Sequence, residues 1–528
     1  MQLQPLSIGT SGFSQLRQAG QIYVDKTALI HELCSTTQKI FLVRPRRFGK
    51  SLLLSTFKSL FKYGLRDFKG LAIEKLWKKE PPCTVVRLDF SLAKIFSDFD
   101  DFKEGFFEML RRDFRAAGFV YDRAGGGLLE QIKGWMSRLP AGSLVLLIDE
   151  YDAPLAACLH DEKLSASVGQ LMRRFFLTVN AATDCLRFLF VTGITKLGNT
   201  GISEVNGLED ISLEPRYAAL PGFDEEELER FFGPHLDQAQ KVLNLDRKTL
   251  IDALRTHYAG FCFDEQAASR VFCPWSVLKF LDRPYNKFRS YWCESAGHPS
   301  VLMNFLKAHK MADPQMFDQP LTLEVAKLRA PLQCGAIPSP VLVAQAGYLG
   351  IKAAKSDGVV ELGYPNEDVR SYMAALYADE LLAGVRRDET GIVRLRNALG
   401  KGALEEAVDI LNAVFEVLAH PRYPIVDEAS CCAFLQVLLF GAAMCPAQIH
   451  AAHGRSALEV DAGSRSWLFE IKFARKPKEA ASLLLEDGVR RLQEDKHCAS
   501  FSQDGSLMRA CLVFVQQKRA FAQYAAVP

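Results

Sequence analysis

The sequence predicts an α/β fold. Residues 1–215 read as an open parallel sheet, residues 216–385 as a helix-rich stretch, and residues 401–528 as a second α/β unit after a connector at 386–400. Three apolar runs carry the first expectation. Phe41-Leu42-Val43 leads into a basic turn and a helix start, Leu144 to Ile148 into Asp149-Glu150, and Leu186 to Val191 into Thr192-Gly193-Ile194-Thr195-Lys196. Continuous apolar runs suit parallel strands covered on both faces. Polar chemistry at the end of each run suits a doubly wound sheet, whose ligand sits at the strand C-termini.

The first run continues as Arg44-Pro45-Arg46-Arg47-Phe48-Gly49-Lys50-Ser51. Strand, turn and helix is the context of a P-loop. Backbone N–H groups of such a turn and of the helix N-terminus cradle phosphate. Arg46, Arg47, Phe48, Gly49, Lys50, Ser51 and Leu52 are therefore the candidate nucleotide-binding residues. Lys50 is placed to reach the β- and γ-phosphates, and the Ser51 hydroxyl to sit on Mg²⁺. Lys50 is expected to be exposed at the turn. Arg44 stands where the G-x4-G-K-[ST] pattern has its first glycine.

The second run has the Walker B form. Asp149 would hold Mg²⁺ through water or through Ser51, and Glu150 would orient or deprotonate the attacking water. At the end of the third run Thr192 is placed like a sensor of the γ-phosphate. Ahead of the P-loop, Tyr23-Val24-Asp25-Lys26-Thr27 admits two readings, a lining of the nucleotide's base side or a plain helix start. Val85 to Phe90 is a further strand-like run, and Ala124 to Gly127 with Gly134 marks breaks. Arg173 and Arg174 are candidates for an arginine finger, although adjacent arginines on a helix usually form a solvated face.

Beyond Pro221 the pattern turns helical. Asp224 followed by Glu225-Glu226-Glu227 reads as an N-cap and an acidic first turn. Hairpin-like material lies near Gly347 to Tyr364. Short helices with a small hairpin resemble a winged-helix unit, which binds nucleic acid or closes on nucleotide; a spacer is the other reading. Near the end, Trp467-Leu468-Phe469-Glu470-Ile471-Lys472 is a strand with Glu470 and Lys472 on one face. A second strand begins at Leu458 to Asp461.

These segments together resemble the bacterial predicted AAA-like ATPase family, whose members carry a C-terminal domain of the PD-(D/E)xK nuclease superfamily. The resemblance rests on Ile8 to Phe61, on LLIDEYDAPL, on VTGITKLGNTGISEVNGLEDISL, on YAGFCF, on Cys273 to Leu278, on Ala346 to Lys352 and on Gly363 to Arg370. It covers nearly the whole chain. Arginine at the first P-loop position is usual in that family. The resemblance implies a P-loop NTPase domain, a helical and winged-helix-like middle, and a restriction-endonuclease-like α/β domain. In that last domain two acids bind Mg²⁺ and a lysine assists the water that attacks a phosphodiester. The family pattern is G-R-x-D followed by E-x-K, but this chain reads Gly454-Arg455-Ser456-Ala457. Alanine cannot coordinate a hard cation. A glutamine of the following helix is replaced by Leu483. Glu459, two residues on and displaced about 6.6 Å along the strand, is the substitute acid to consider, with Asp427 or Glu428 as a second. His450 and His453 read as loop residues.

Composition narrows the setting. The chain has 528 residues, 48% hydrophobic and 24% charged, with a net charge of +2. That length suits two to four domains, and that charge gives no global basic field for nucleic acid. No apolar run approaches the roughly 18 residues of a membrane span, and the N-terminus lacks a secretory signal pattern. Thirteen cysteines without a C-x-x-C spacing read as reduced thiols of a cytoplasmic protein. The expected cofactors are ATP and Mg²⁺. The expected function is a cytoplasmic ATPase that couples nucleotide state to a degenerate nuclease-like domain, in nucleic-acid transactions or defence. Two alternatives stay open: a nucleotide-gated binding module with little turnover, and an active ATP-dependent metal nuclease using Glu459, Glu470 and Lys472. DNA or RNA and a second copy of the chain are open as partners; a membrane is not expected.

Overall fold

Five parallel strands organise the first part of the chain: β1 (Lys39–Val43), β2 (Thr84–Asp89), β3 (Leu144–Asp149), β4 (Leu186–Gly193) and β5 (Glu209–Asp210), in the spatial order β2-β3-β4-β1-β5. The computed structural model describes residues 3–78, 80–292, 321–333, 339–355, 358–373, 392–417, 425–441, 448–449, 457–462, 465–475, 479–494 and 507–527. Described residues up to Val369 form one compact unit and those from Arg370 onward another.

In the first unit, β1 and β3 are buried along their whole length. That explains their unbroken apolar runs, because helices cover both faces of the sheet. The helix Lys50–Tyr63 lays Leu54, Phe57, Leu60 and Phe61 on one face, against Phe188 and Phe190 of β4. On the other side Phe90 and Phe106 meet Phe175 of the helix Glu162–Asn180. Crossover connections bring every strand into the sheet in the same sense, so β1, β3 and β4 end on one edge.

The helix-rich stretch belongs to the same unit. Helices Glu225–Leu243, Arg247–Tyr258 and Pro274–Asp282 build a second core that also takes in Ile22 and Val24 from the start of the chain. Asp224 caps the first of these helices in a reciprocal capping box with Glu227. Three short antiparallel strands follow, β6 (Leu321–Glu324), β7 (Gly350–Ala354) and β8 (Val359–Gly363), in the order β6-β8-β7. The hairpin expected near Gly347 to Tyr364 is the β7–β8 pair.

The second unit is built on β9 (Gln448–Ile449), β10 (Ala457–Asp461), β11 (Ser466–Ala474), β12 (Leu507–Val515) and β13 (Ala520–Val527), ordered β13-β12-β11-β10-β9. β11 runs parallel to β12, and the other pairs are antiparallel. The helix Glu479–Glu494 supplies the crossover between β11 and β12 and packs on the sheet. Part of the expected connector is helical instead: a helix covers Ile392–Lys401 and buries Leu395, Ala398 and Leu399. Residues 386–391 lie outside the described residues. Among the described residues no helix is long and apolar enough to cross a membrane.

Candidate nucleotide site

A cavity of about 420 Å³ opens at the edge where β1 and β3 end. One wall is charged, with Arg46, Lys50, Ser51, Lys94 and Glu150; another is apolar, with Tyr23, Trp275 and Leu278. The sequence dictates the charged wall locally. Gly49 takes φ 78, and the helix Lys50–Tyr63 starts directly after it with no side-chain cap. The first-turn amides of an uncapped helix are orphan donors beside the positive end of the helix dipole. That is an anion cradle. Two further non-glycine residues at this edge have left-handed backbones, Arg47 at φ 71 and Glu150 at φ 46. Such strain persists only where the surrounding structure holds it.

Lys50 is buried, at 7% exposure, rather than exposed as the sequence suggests. Its ammonium turns into the loop and donates to the carbonyls of Arg44 (2.9 Å) and Pro45 (3.0 Å). Burial lowers its pKa, while Glu150, Asp149 and Asp152 oppose that shift. Asp149 is also buried, which raises its pKa against a hydrogen bond from Ser51. Its second neighbour is Arg87, at 3.6 Å. The Ser51 hydroxyl beside one carboxylate is a pair of oxygens of the kind Mg²⁺ takes, since that ion is held through one or two carboxylates plus phosphate oxygens. Among the described residues, this position included, no three His, Cys, Asp or Glu side chains converge on a metal position, so the fit rests on this pair and the phosphate oxygens beside it. The residues present therefore fit Mg²⁺ here.

Thr192 lies one residue before the end of β4, and it is not among the residues that line the cavity. It is fully buried and donates to the Leu42 carbonyl at 2.7 Å, tying β4 to β1. Two residues next to Walker B, which sequence reasoning passed over, organise this edge. Asp152 accepts hydrogen bonds from the N–H groups of Ile194 and Thr195 and from the Thr195 hydroxyl. The Tyr151 hydroxyl bridges the Thr195 carbonyl and the Leu197 N–H. A side chain at Gly193 would collide with both, its Cβ falling 2.4 Å from Asp152 Oδ1 and 2.7 Å from the Tyr151 ring. Beyond this clamp the chain pairs with the helix-rich stretch. The Leu332 N–H donates to the Lys196 carbonyl, the Gly198 N–H to the Leu332 carbonyl, and the Lys196 N–H to the Gln345 side chain.

The P-loop itself is wedged against that stretch. The Phe48 ring is buried among Phe261, Phe263 and Trp292. Arg44 is buried, with its guanidinium over Phe263 at 4.3 Å and hydrogen bonds to the carbonyls of Val43, Ser212 and Tyr217. Its burial pulls its pKa down to about 9. Arg44 thus replaces a flexible glycine with a structural tie. Arg47 lies over Trp275 at 4.4 Å. Tyr23 lines the cavity, while Lys26 also pairs with Glu227 and Asp25 accepts from the Thr27 N–H. Both readings of that segment, lining and helix start, describe it. Arg173 pairs with Glu204 at 2.8 Å. Neither Arg173 nor Arg174 lines the cavity.

In the second unit Glu470 and Lys472 are buried side by side on β11, with Lys472 Nζ 3.2 Å from Glu470 Oε1 and 3.4 Å from Asp487 Oδ2. Burial raises the Glu470 pKa, and Lys472 opposes it. Asp487, on the helix Glu479–Glu494, is an acid the sequence reading overlooked; it also pairs with Arg490 and Arg491. Ala457 stands opposite Glu470 in the β10–β11 register, and Glu459 stands opposite Leu468. Leu483 is exposed. Asp427 accepts from the Ser430 N–H and hydroxyl, which holds its carboxylate at a helix start next to Glu428. Gly454, Arg455, Ser456, His450 and His453 lie outside the described residues.

Two comparisons with known proteins bear on the chain. Residues 7–203 match the family described as Predicted AAA-ATPase. An uncharacterized protein in the vnfD 5′ region of Azotobacter chroococcum mcd 1 is 30% identical over 383 residues, which cover 70% of this chain and 69% of that protein. With an uncapped glycine-led helix, a Walker B strand beside it and this extent of similarity, the chain belongs to the predicted AAA-ATPase family.

Proposed function

We propose that the chain binds ATP in the cavity at the end of β1 and β3 and hydrolyses it. The observation that carries this reading is the convergence of four groups. Lys50, Ser51 and Glu150 line one cavity, and Asp149, buried at the end of β3, lies next to Glu150 in the chain and close enough to Ser51 and Lys50 for both to act on its carboxylate. The first-turn amides and Lys50 hold the β- and γ-phosphates. Ser51 and Asp149 are the residues that hold Mg²⁺, which when bound offsets phosphate charge. Glu150 takes a proton from water as its oxygen attacks the γ-phosphorus. The bond from that phosphorus to the β-γ bridging oxygen breaks, and ADP and inorganic phosphate leave. Tyr23, Trp275 and Leu278 offer the apolar faces on which a base stacks. Calorimetric titration with ATP and Mg²⁺ tests this. Wild type binds, and Lys50→Ala loses binding while it stays folded by circular dichroism. Unchanged affinity in the variant refutes the assignment.

The second unit reads as a degenerate nuclease-like domain whose state follows the nucleotide. Three observations support that reading: the helix, antiparallel strands, helix and parallel strand in sequence around β11; alanine in register with Glu470; and Lys472 neutralising Glu470 and Asp487 in place of a cation. Participation in nucleic-acid transactions or defence remains a proposal from family resemblance.

A further inference from the structure

We infer that Lys94 is a cation supplied in cis to the γ-phosphate, in the role that other NTPases give to an arginine from a partner; the inference rests on the cavity being an ATP site. The position follows from the sheet. β2 is paired with β3 so that Asp89 lies opposite Asp149, and the turn leaving β2 emerges beside the strand end that carries Glu150. That turn is built, not loose. The Asp89 carboxylate accepts hydrogen bonds from the Ser91 N–H (3.0 Å) and the Ser91 hydroxyl (2.6 Å) and so caps the short helical turn Phe90–Ala93. Phe90 is fully buried, with its ring 5.2 Å from Phe106 and 5.8 Å from Phe175, and Ala93 is buried as well. The next residue is Lys94, exposed and among the residues that line the same cavity as Lys50 and Glu150.

The chemistry of phosphoryl transfer asks for such a group. Negative charge spreads over the γ-oxygens as the bond to the β-γ bridging oxygen lengthens, and a fixed cation outside the P-loop stabilises it. Lys50 is the loop's own cation and is already assigned to the β- and γ-phosphates. Arg46 and Arg47 belong to the loop, and Arg47 rests on Trp275. Arg173 is held by Glu204 away from the lining. Arg46, Arg47 and Lys50 come from the loop and Lys26 is paired with Glu227, so Lys94 is the lining cation that enters from the β2 side, with its backbone at the end of a preorganised turn.

The test compares wild type, Lys94→Ala and Lys94→Arg. Steady-state turnover is measured alongside affinity for ADP and for ADP with aluminium fluoride and Mg²⁺, a mimic of the transferring phosphoryl group. Lys94→Ala should slow turnover by roughly 10²-fold and weaken the aluminium fluoride complex, with ADP affinity unchanged. Lys94→Arg should restore most of both. Wild-type turnover in Lys94→Ala, or equal losses for ADP and the aluminium fluoride complex, overturns the role while leaving the ATP site standing. A wild type that binds no ADP overturns both.

Discussion

Glu150 is held at φ 46, a left-handed backbone at which a non-glycine residue is uncommon. The turn it makes separates two carboxylates that are neighbours in sequence. Asp149 points inward to Ser51, and Glu150 faces the cavity. Their substitutions should therefore behave differently. Glu150→Gln is expected to slow hydrolysis by roughly 10²–10⁴-fold with ATP still bound, whereas Asp149→Ala should lose Mg²⁺-dependent affinity. Identical losses of affinity in both variants, measured by nucleotide titration with and without Mg²⁺, contradict this division. A third carboxylate has a role in stability instead. Asp368 is buried and accepts hydrogen bonds from Ser276, Ser290 and the Trp292 N–H; burial pushes its pKa up to about 6. From about pH 4 to about pH 6 the folded protein keeps a proton that the unfolded chain has released, so stability falls as pH rises through that window and then levels off. The contribution is about 3 kcal/mol. Asp368→Asn should flatten that part of the profile. Chemical denaturation across the window checks it, and parallel profiles for variant and wild type would remove Asp368 as the cause.

Between elements, the feature that matters is how firmly the P-loop is docked. Gly347, at φ 90, brings the turn before β7 onto the ring of Pro45, and a Cβ there would fall 2.3 Å from the proline Cγ. Gly347→Ala adds both this clash and a strained backbone. It should cost about 1–3 kcal/mol and weaken ATP binding, because the loop that moves is the one proposed to cradle phosphate. A thermal melt and an ATP titration of the variant read the two effects, and a loss of stability with full ATP affinity would show that the contact does not set the loop. Little of this docking was legible in the sequence. The strand ends and the P-loop were, because an apolar run and the chemistry behind it are local in the chain. Thr192 was assigned to the ligand because it ends a strand, but period-two alternation decides which face a side chain takes, and parity needs the register with β1. The burial of Lys50 depends on two carbonyls within the loop, and Asp368 on partners 76 to 92 residues distant, so neither leaves a pattern. Lys94 is a single lysine in a polar turn, and only the sheet pairing gives it meaning.

At the scale of the whole molecule the two units carry opposite expectations. The first brings together the groups proposed above to bind phosphate; the second has alanine where the resemblance calls for an acid. Wild-type protein is expected to show no Mg²⁺-dependent cleavage of plasmid DNA. Ala457→Asp, which places a carboxylate opposite Glu470 in the register, should introduce slow nicking if Lys472 releases Glu470 to a metal. Strong cleavage by wild type that vanishes in Glu459→Ala would instead show that the acid has moved along the strand. In the first unit, the cavity has a consequence for the chain as a polymer. Its lining is drawn from residues near Ser7, Tyr23, Gly49, Lys94, Glu150, Leu220 and Trp275, segments spread over more than half the length of the chain. A ligand there is a reversible cross-link among them: none of these segments can fray without releasing it. At a hundredfold excess over Kd, binding adds about 2.7 kcal/mol to the free energy of unfolding. With ATP as the ligand proposed above, nucleotide supply would govern how long the N-terminal segment, the sheet edge and the helix at Pro274 stay folded together, and the lifetime of the protein would read the nucleotide pool around it.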